Sequence, residues 1–350
     1  MWSALPDPSW LAPLVVAGDR LLRLFLAPAS LLSLQSLLSA LLIAVLWTLG
    51  RRRRVRTVRA RVLARALFPR RLIRSASSRA DIKLTLLNLL VFPVLFGWAL
   101  LSARAIELWV GGLLPAPAAP VLPGWLAACC ATLLLFLAYE LGYWLDHYLS
   151  HRLPLLWRFH RVHHSAESLS PLTNFRVHPI DSIVFVNIVA LVTGTAAALL
   201  RPLLGGAPAV YVIDGRNLLG VLALYLITHL LHSHFWVRPP APFDRLVQSP
   251  AHHQLHHSSN PAHYGRNFGA SLVLFDWLFG TLLRPSARRP ALTFGAVGEA
   301  PRHDLWTLLV GPFIGRPRRW RAPTPSAFPA WHPGLAPALV VDREDYRVSR

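Results

Sequence analysis

The chain has 350 residues, of which 54% are hydrophobic and 15% charged, and its mean hydropathy is +0.42. A soluble domain carries about 25% charged residues, so this composition excludes an ordinary water-soluble enzyme and predicts apolar segments solvated by lipid. The formal net charge of +20 comes almost wholly from arginine, Lys83 being the only lysine. These arginines cluster beside hydrophobic runs, as the positive-inside rule requires, rather than forming the basic face of a nucleic-acid binder; no nucleic acid is expected as a partner. Cys129 and Cys130 are adjacent within an apolar run and offer neither a disulfide framework nor a thiolate metal site. Residues 1–26 lack the basic start, clean apolar stretch and small-residue cleavage site of a secretory signal.

Five hydrophobic stretches follow in chain order, against the roughly 20 apolar residues that a helix needs to cross a bilayer. The first runs from Ala29 to Leu49. The second, Leu84 to Leu101, contains Pro93, a predicted kink. The third covers Trp125 to Trp144 and the fourth Ile183 to Leu200. The fifth, Leu218 to Leu231, is shorter, and an earlier start near Val210 would leave Asp214 and Arg216 at its rim. Between the first two lie Arg51 to Arg54, Arg56, Arg59, Arg61, Arg65, Arg70, Arg71 and Arg74, which assigns that loop to the cytoplasm. Counting crossings from there, the segments after the third and fifth spans share the cytoplasmic face. The fold expected is therefore an all-α integral membrane protein with about five transmembrane helices and a cytoplasmic histidine-rich helical cap. The Pro-rich tail from Phe313 to Arg350 reads as an irregular extension. The arginine-rich, nearly lysine-free composition fits a GC-rich genome and places the chain in a bacterial inner membrane.

Fourteen of the sixteen histidines fall between His147 and His263. His147 and His151 stand four apart at the inner end of the third span, one helical turn apart on one face. His160, His163 and His164 form H-R-V-H-H, and His253, His256 and His257 form H-Q-L-H-H. In each H-x-x-H-H box the two adjacent histidines point about 100° apart on a helix, which suits two neighbouring metals better than one. A single interfacial histidine is ordinarily a packing residue, but three boxes on one membrane face form a metal-binding constellation. Structural zinc needs only four ligands and haem one or two, whereas a dinuclear redox centre matches the ligand count. The non-enzymatic alternative is a membrane metal-binding or metal-transport protein, although transport sites lie near mid-bilayer and these boxes lie at its edge.

Other groups are weighed beside the boxes. His232 is the preferred additional ligand, with His229, three residues earlier, as its rival; His178, in N-F-R-V-H-P, is a candidate metal or substrate contact. His234 and His252 are less favoured, and His263, His303 and His332 read as surface residues. Metal-bound imidazoles usually donate their other N–H to a carboxylate or carbonyl. Glu140, Asp146, Asp181 and Asp276 all lie close in sequence to these histidines; Asp146 and Asp276 are the choices for that orienting role, against the alternative of an interface salt bridge with a nearby arginine, with Asn174 and Asn267 as further supports.

At these residues the chain resembles the fatty acid hydroxylase superfamily, also called the sterol desaturase family. The resemblance spans about Asp81 to Leu283 and rests on D-H-Y-L-S-H, H-R-V-H-H-S, N-F-R-V-H-P, H-S-H, S-P-A-H-H-Q-L-H-H-S, N-F-G and D-W-L-F-G-T. It implies a helical membrane fold with a cytosolic cap holding two iron ions, zinc being a substitute, on His147, His151, His160, His163, His164, His253, His256 and His257, with His232 added and His178 a further candidate. It implies a lipid substrate (a sterol, fatty acyl chain, ether lipid or similar), O2, and hydroxylation, desaturation or ether cleavage. No haem-binding motif of a fused cytochrome b5 domain is present, so the electrons are expected from a separate ferredoxin or cytochrome b5-like donor. On this reading residues 1–80 carry the first span and the Arg-rich loop, 81–283 the catalytic domain and 284–350 the extension. Asn267-Phe268-Gly269 stands where the family often has N-Y-G, and Phe275-Asp276 where it often has W-D; neither removes a ligand.

Overall fold

The structure, a computed structural model, describes residues 19, 22–51, 60–115, 119, 122–206, 209–296 and 303–314. Arg52 to Arg54, Arg56, Arg59, His332, most of the N-terminal segment and the tail beyond Ile314 lie outside them. The described chain is mostly helical, and four helices are long and apolar enough to cross a membrane: α1 (Leu34–Arg51), α2 (Ala76–Gly111), α3 (Gly124–Arg152) and, after the short helix α4 (Pro154–His164), α5 (Pro179–Leu203). The fifth expected span is a shorter apolar helix, α6 (Leu218–Leu231); at 1.5 Å per residue it covers about 21 Å, less than the roughly 30 Å hydrocarbon core. Its earlier start near Val210 is not seen. Val212–Ile213 (β1) pairs antiparallel with Arg216–Asn217 (β2) across an Asp214-Gly215 turn in which both residues have positive φ, the backbone that an Asp-Gly hairpin favours. This small hairpin is an exception to the expected all-α fold.

The surface is inverted relative to a soluble protein. Trp98, Val94, Leu113 and Trp109 are 68–84% exposed, while the buried set is dominated by alanine, serine and histidine. Large apolar side chains face outward because lipid solvates them as well as a protein core would, and helix contacts then depend on small residues that let backbones approach. Gly194 of α5 is such a point: a Cβ there would come within 2.5 Å of the Ala103 carbonyl oxygen.

Side chains fix the direction of packing. Asn88 of α2 donates to the Phe175 and Val177 carbonyls, the Leu101 amide donates to Asn187, and Gly194 lies against Ala103 and Ile106. Thus α2 and α5 run parallel. In α3, Tyr143 packs on Phe185 and Gly142 on Val189, so α3 runs antiparallel to both. The second span is longer and more broken than the stretch Leu84–Leu101. A π-turn occupies Leu87–Val91, a 3-10 turn Gly97–Ala99, and helix resumes at Ala103. Pro93 sits in the first turn of Phe92–Phe96, where its missing N–H costs little; the interruption at Leu100–Ser102 is instead held by Asn187, which accepts from Leu101 N and donates to Ala99 O.

In α1, Ser36 bonds His229 and Trp47 meets Phe235 edge-on at 5.4 Å. The C-terminal ends of α1, α3 and α6, the start of α5 and all of α4 therefore lie at one end of the bundle. There α7 (Pro250–His256) and α8 (Leu274–Leu278) complete a cap. The helices Leu305–Leu309 and Gly311–Ile314 lie beyond the expected boundary at residue 283, and the second of them includes the start of the expected irregular tail. They fold back on the cap: Leu308 joins Ala80, Leu84 and Val162 in one core, and Phe313 packs on Phe159 and His178.

Candidate metal centre

Helix α3 continues eight residues past Trp144, so His147 and His151 emerge from the bundle on one helix face, one turn apart. A sharp bend at Leu153-Pro154 starts α4, whose three histidines turn back toward them. After α6 ends at Leu231, His232 leaves the helix; α7, capped by Ser249 on the His252 amide, brings in the third box. These elements gather nine imidazoles into two groups. His147, His151, His160, His164 and His256 form the first, and His163, His232, His253 and His257 the second. Within each group the potential ligand atoms all lie within 4.8 Å of one another. Both H-x-x-H-H boxes are split as the helical angle requires: His160 and His164 face the five-histidine group while His163 turns to the other, and His256 and His257 part in the same way. The groups abut, the rings of His164 and His257 stacking at 4.5 Å.

The nitrogen geometry argues for a metal in each group. In the four-histidine group, Nε2 of His232 lies 3.1 Å from that of His163, 3.2 Å from that of His257 and 2.8 Å from that of His253, while His257 and His253 stand 3.1 Å apart. A ring nitrogen carries one proton or one lone pair, so Nε2 of His232 cannot hydrogen-bond three neighbours at once. An ion bound at about 2.0–2.1 Å holds adjacent nitrogens roughly 3 Å apart, close to these spacings. In the five-histidine group, Nδ1–H of His147 donates to the Phe268 carbonyl at 2.8 Å, that of His160 to Asp181 Oδ2 at 3.1 Å, and that of His256 to the Arg266 carbonyl at 2.8 Å. Those bonds leave Nε2 as the lone-pair atom in each ring, and Nε2 of His147, His151 and His160 is buried with no hydrogen-bond partner among the described residues.

Burial also sets the charge state. It is the largest cause holding His163, His164, His253 and His257 well below the ordinary histidine range, with neighbouring imidazoles adding to it. His232 and His256 are pushed down to about 3, again chiefly by burial. The neutral imidazole is the form that binds metal. Trp157 packs on His151 and His164, and Phe268 on His147, His151 and His256, walling the first group with apolar rings.

Several expected contributors lie elsewhere. His178 is in neither group: its Nδ1 caps α5 by accepting from the Ile180 amide, and its Nε2–H donates to the Leu309 carbonyl. His229, one turn before His232 but on the continuous helix, faces α1 and Ser36 at 3.0 Å. Asp146 makes no bond to an imidazole among the described residues, and its Oδ1 lacks a partner there; Asp181, in the first turn of α5, takes that place at His160. Asp276 binds peptide N–H groups of Phe268 and Gly269 rather than an imidazole, and Asn267 ties His252 O to Leu283. Asn174, in the turn Pro171–Phe175, belongs to neither group. His252 spans Ser249 and the Asp244 carbonyl, and His234 faces the Ala66 carbonyl. His263, expected at the surface, is 2% exposed. His303, also expected there, accepts from Arg176 and donates to Glu167.

Sequence reading also passed over the fastening of α4. Arg176, of the N-F-R-V-H-P motif, is fully buried and bonds Asp81 at 2.9 Å together with Val162 O, Ser165 and Ser77 O, locking α4 to α2. The signal available was an arginine set between the apolar Phe175 and Val177.

Residues 132–281 match the fatty acid hydroxylase family. An ornithine lipid hydroxylase, OlsE, of Rhizobium tropici is 31% identical over 181 residues, covering 51% of this chain and 49% of that protein. Alkylglycerol monooxygenases are 26% identical over 196 residues in Danio rerio and over 185 in Homo sapiens, covering 54% and 49% of this chain and 37% of each relative. The chain thus spans about half the length of these relatives or less. No solved structure matches.

Proposed function

The chain belongs to the fatty acid hydroxylase superfamily, and from that premise we propose that it is a membrane-embedded, O2-dependent oxidoreductase that hydroxylates a lipid. The observation that carries the reading is the convergence of nine imidazoles into two adjoining groups at one end of an apolar helix bundle. The donor set fits two iron ions: all-nitrogen ligation suits iron, copper or zinc alike, and the family favours iron. In this assignment His147, His151, His160, His164 and His256 hold one ion, and His163, His232, His253 and His257 the other. Two iron ions would supply the electron transfer by which one oxygen atom of O2 enters a substrate C–H bond and the other leaves as water, with two electrons and two protons from a donor.

The protein's own part is orientation and exclusion. The Phe268 and Arg266 carbonyls and Asp181 hold three rings with Nε2 inward, and Trp157 and Phe268 keep water from the first group. A lipid enters along the exposed apolar helices and presents one carbon to the centre, and this positioning selects the bond that reacts. The names of the relatives favour a glycerol ether lipid or an acylated amino-acid lipid. The catalytic domain is assigned to residues 81–283 and electrons to a separate carrier. Arg51 ends α1, and the helix Ala60–Leu67 with Arg61 and Arg65 lies against His234, so these arginines share the end of the bundle that holds the histidines, which supports a cytoplasmic centre.

The test is expression in a lipid-producing host, with lipid extracts compared between the wild type and His163→Ala, and elemental analysis of the purified protein. An oxygen-dependent lipid product present only with the wild type, and close to two iron ions per chain, are the expected results. An unchanged lipid profile from a fully metallated protein would refute the reading.

A further inference from the structure

The irregular segment between residues 266 and 272 crosses the five-histidine group and supplies two of the three acceptors that fix its rings: the Arg266 carbonyl for His256 and the Phe268 carbonyl for His147. An isolated bridge from Val247 to Leu272 is its only strand-like pairing among the described residues, so other groups must satisfy its peptide N–H atoms. Two buried carboxylates do so. Asp276 accepts from Phe268 N at 2.8 Å, Gly269 N at 2.9 Å, Thr281 Oγ1 at 2.6 Å and Trp144 Nε1 at 3.2 Å. Glu140 accepts from Ser271 N at 3.0 Å, Leu272 N at 2.9 Å and the Ser271 hydroxyl. Between them, Gly269 turns so tightly that a Cβ would strike the Leu272 carbonyl oxygen.

The location of the carboxylates gives this arrangement a consequence for the site. Glu140 stands seven residues before His147 on α3, two turns away on the same face. The helix that presents His147 thus also grips the segment whose carbonyl orients His147. Asp276 grips the very peptide that carries that carbonyl, from its nitrogen side: Gly269 N bonds the carboxylate and Phe268 O the imidazole. Among the described residues, the hydrogen bonds of the four-histidine group run to none of residues 266–272.

We propose that Asp276 and Glu140 are positioning residues for the five-histidine group alone, acting through the backbone between residues 266 and 272 to fix the direction in which His147 and His256 present Nε2. The proposal rests on the reading of the two groups as metal sites. Changing either carboxylate leaves every imidazole in place and alters only the frame that aims two of them.

The experiment is titration of purified full-length, metal-free protein with Co(II) against a competing chelator, followed by visible absorption. Wild type, Asp276→Asn, Glu140→Gln and the milder Thr281→Val, which removes one hydrogen bond to Asp276, are compared. The wild type is expected to bind two Co(II) ions in spectrally distinct sites. Asp276→Asn and Glu140→Gln should weaken one site about 10–100-fold, the range for loss of an outer partner of a metal ligand, and shift its absorption. Thr281→Val should weaken the same site roughly two- to tenfold. The other site should keep its affinity and spectrum in all three. A general structural role would weaken both sites together, and that result, or unchanged binding in Thr281→Val and Glu140→Gln, would overturn the proposal while leaving the metal reading intact. Wild-type protein that binds no Co(II) would overturn both.

Discussion

The two histidine groups are neighbours built on different principles. In the five-histidine group, three rings are held from behind by the protein: His147 and His256 by main-chain carbonyls and His160 by Asp181. In the four-histidine group, Nδ1 of His163, His232, His253 and His257 is buried without a hydrogen-bond partner among the described residues, although the main chain of Arg176 lies beside His163. There the Nε2 atoms crowd to 2.8–3.2 Å. The first group is aimed by hydrogen bonds that exist whatever it holds. The second is aimed by packing alone, so its order depends more on what binds. On the proposed reading of two ions, the centre has one preorganised half and one adaptable half.

The largest change should come from the element the two groups share. Helix α4 gives His160 and His164 to one group and His163 to the other, and the fully buried pair Arg176–Asp81 fastens it. Arg176→Met removes one partner and strands the other charge, which costs about 3–5 kcal/mol. Thermal unfolding in detergent should show that loss, and metal should fall in both groups together. Loss confined to one group would mean that α4 does not couple them.

Next in size is the contrast itself. Stripped slowly with a chelator, the wild type should release the ion of the four-histidine group first, since that group has one imidazole fewer and lacks protein partners behind the rings. Asp181→Asn loosens His160 alone and should weaken the five-histidine group about 10–100-fold, narrowing or reversing the order of release. Metal content against time, read with the spectrum of each site, checks both statements. If Asp181→Asn speeds release from the four-histidine group instead, the assignment of the anchors is wrong.

This contrast bears on what the sequence could tell. That each box splits between two groups was legible because it is local: an angle of about 100° between adjacent helical residues separates His163 from His164 whatever the fold, whereas which of them His160 joins was left open. The anchors were not, because they are made across the chain. Asp146 lies beside His147 in sequence and was the natural choice, yet Asp181, 21 residues from His160, makes the bond. The Arg176–Asp81 pair joins residues 95 apart, and nothing local marks Asp81 as its partner. Among the helices, four of the five expected spans were legible from hydropathy, while the break at Leu100–Ser102 in α2 depends on Asn187, 86 residues beyond Leu101. His263 and His303 read as surface residues because a polar side chain with no visible partner is assigned to water; one is buried and the other is paired with Arg176 and Glu167.

The smallest effect tests where the four-histidine group ends. His229 precedes His232 by three residues and competes with it in sequence as a ligand, but its Nε2 lies 3.0 Å from the Ser36 hydroxyl of α1. Its ring therefore joins two membrane helices instead of a metal. His229→Phe keeps an aromatic ring there and deletes one buried hydrogen bond, for about 0.5–1.5 kcal/mol. Because the Ser36 hydroxyl retains the Ser33 carbonyl as an acceptor at 3.0 Å, the cost should lie at the lower end. A double-mutant cycle with Ser36→Ala should return a coupling of that size in thermal unfolding, with both metals retained. Should His229→Phe instead lose one ion per chain while Ser36→Ala loses none, His229 would be a ligand. The adaptable half of the centre would then have five imidazoles, and the contrast between the two groups would have to rest on their anchors alone.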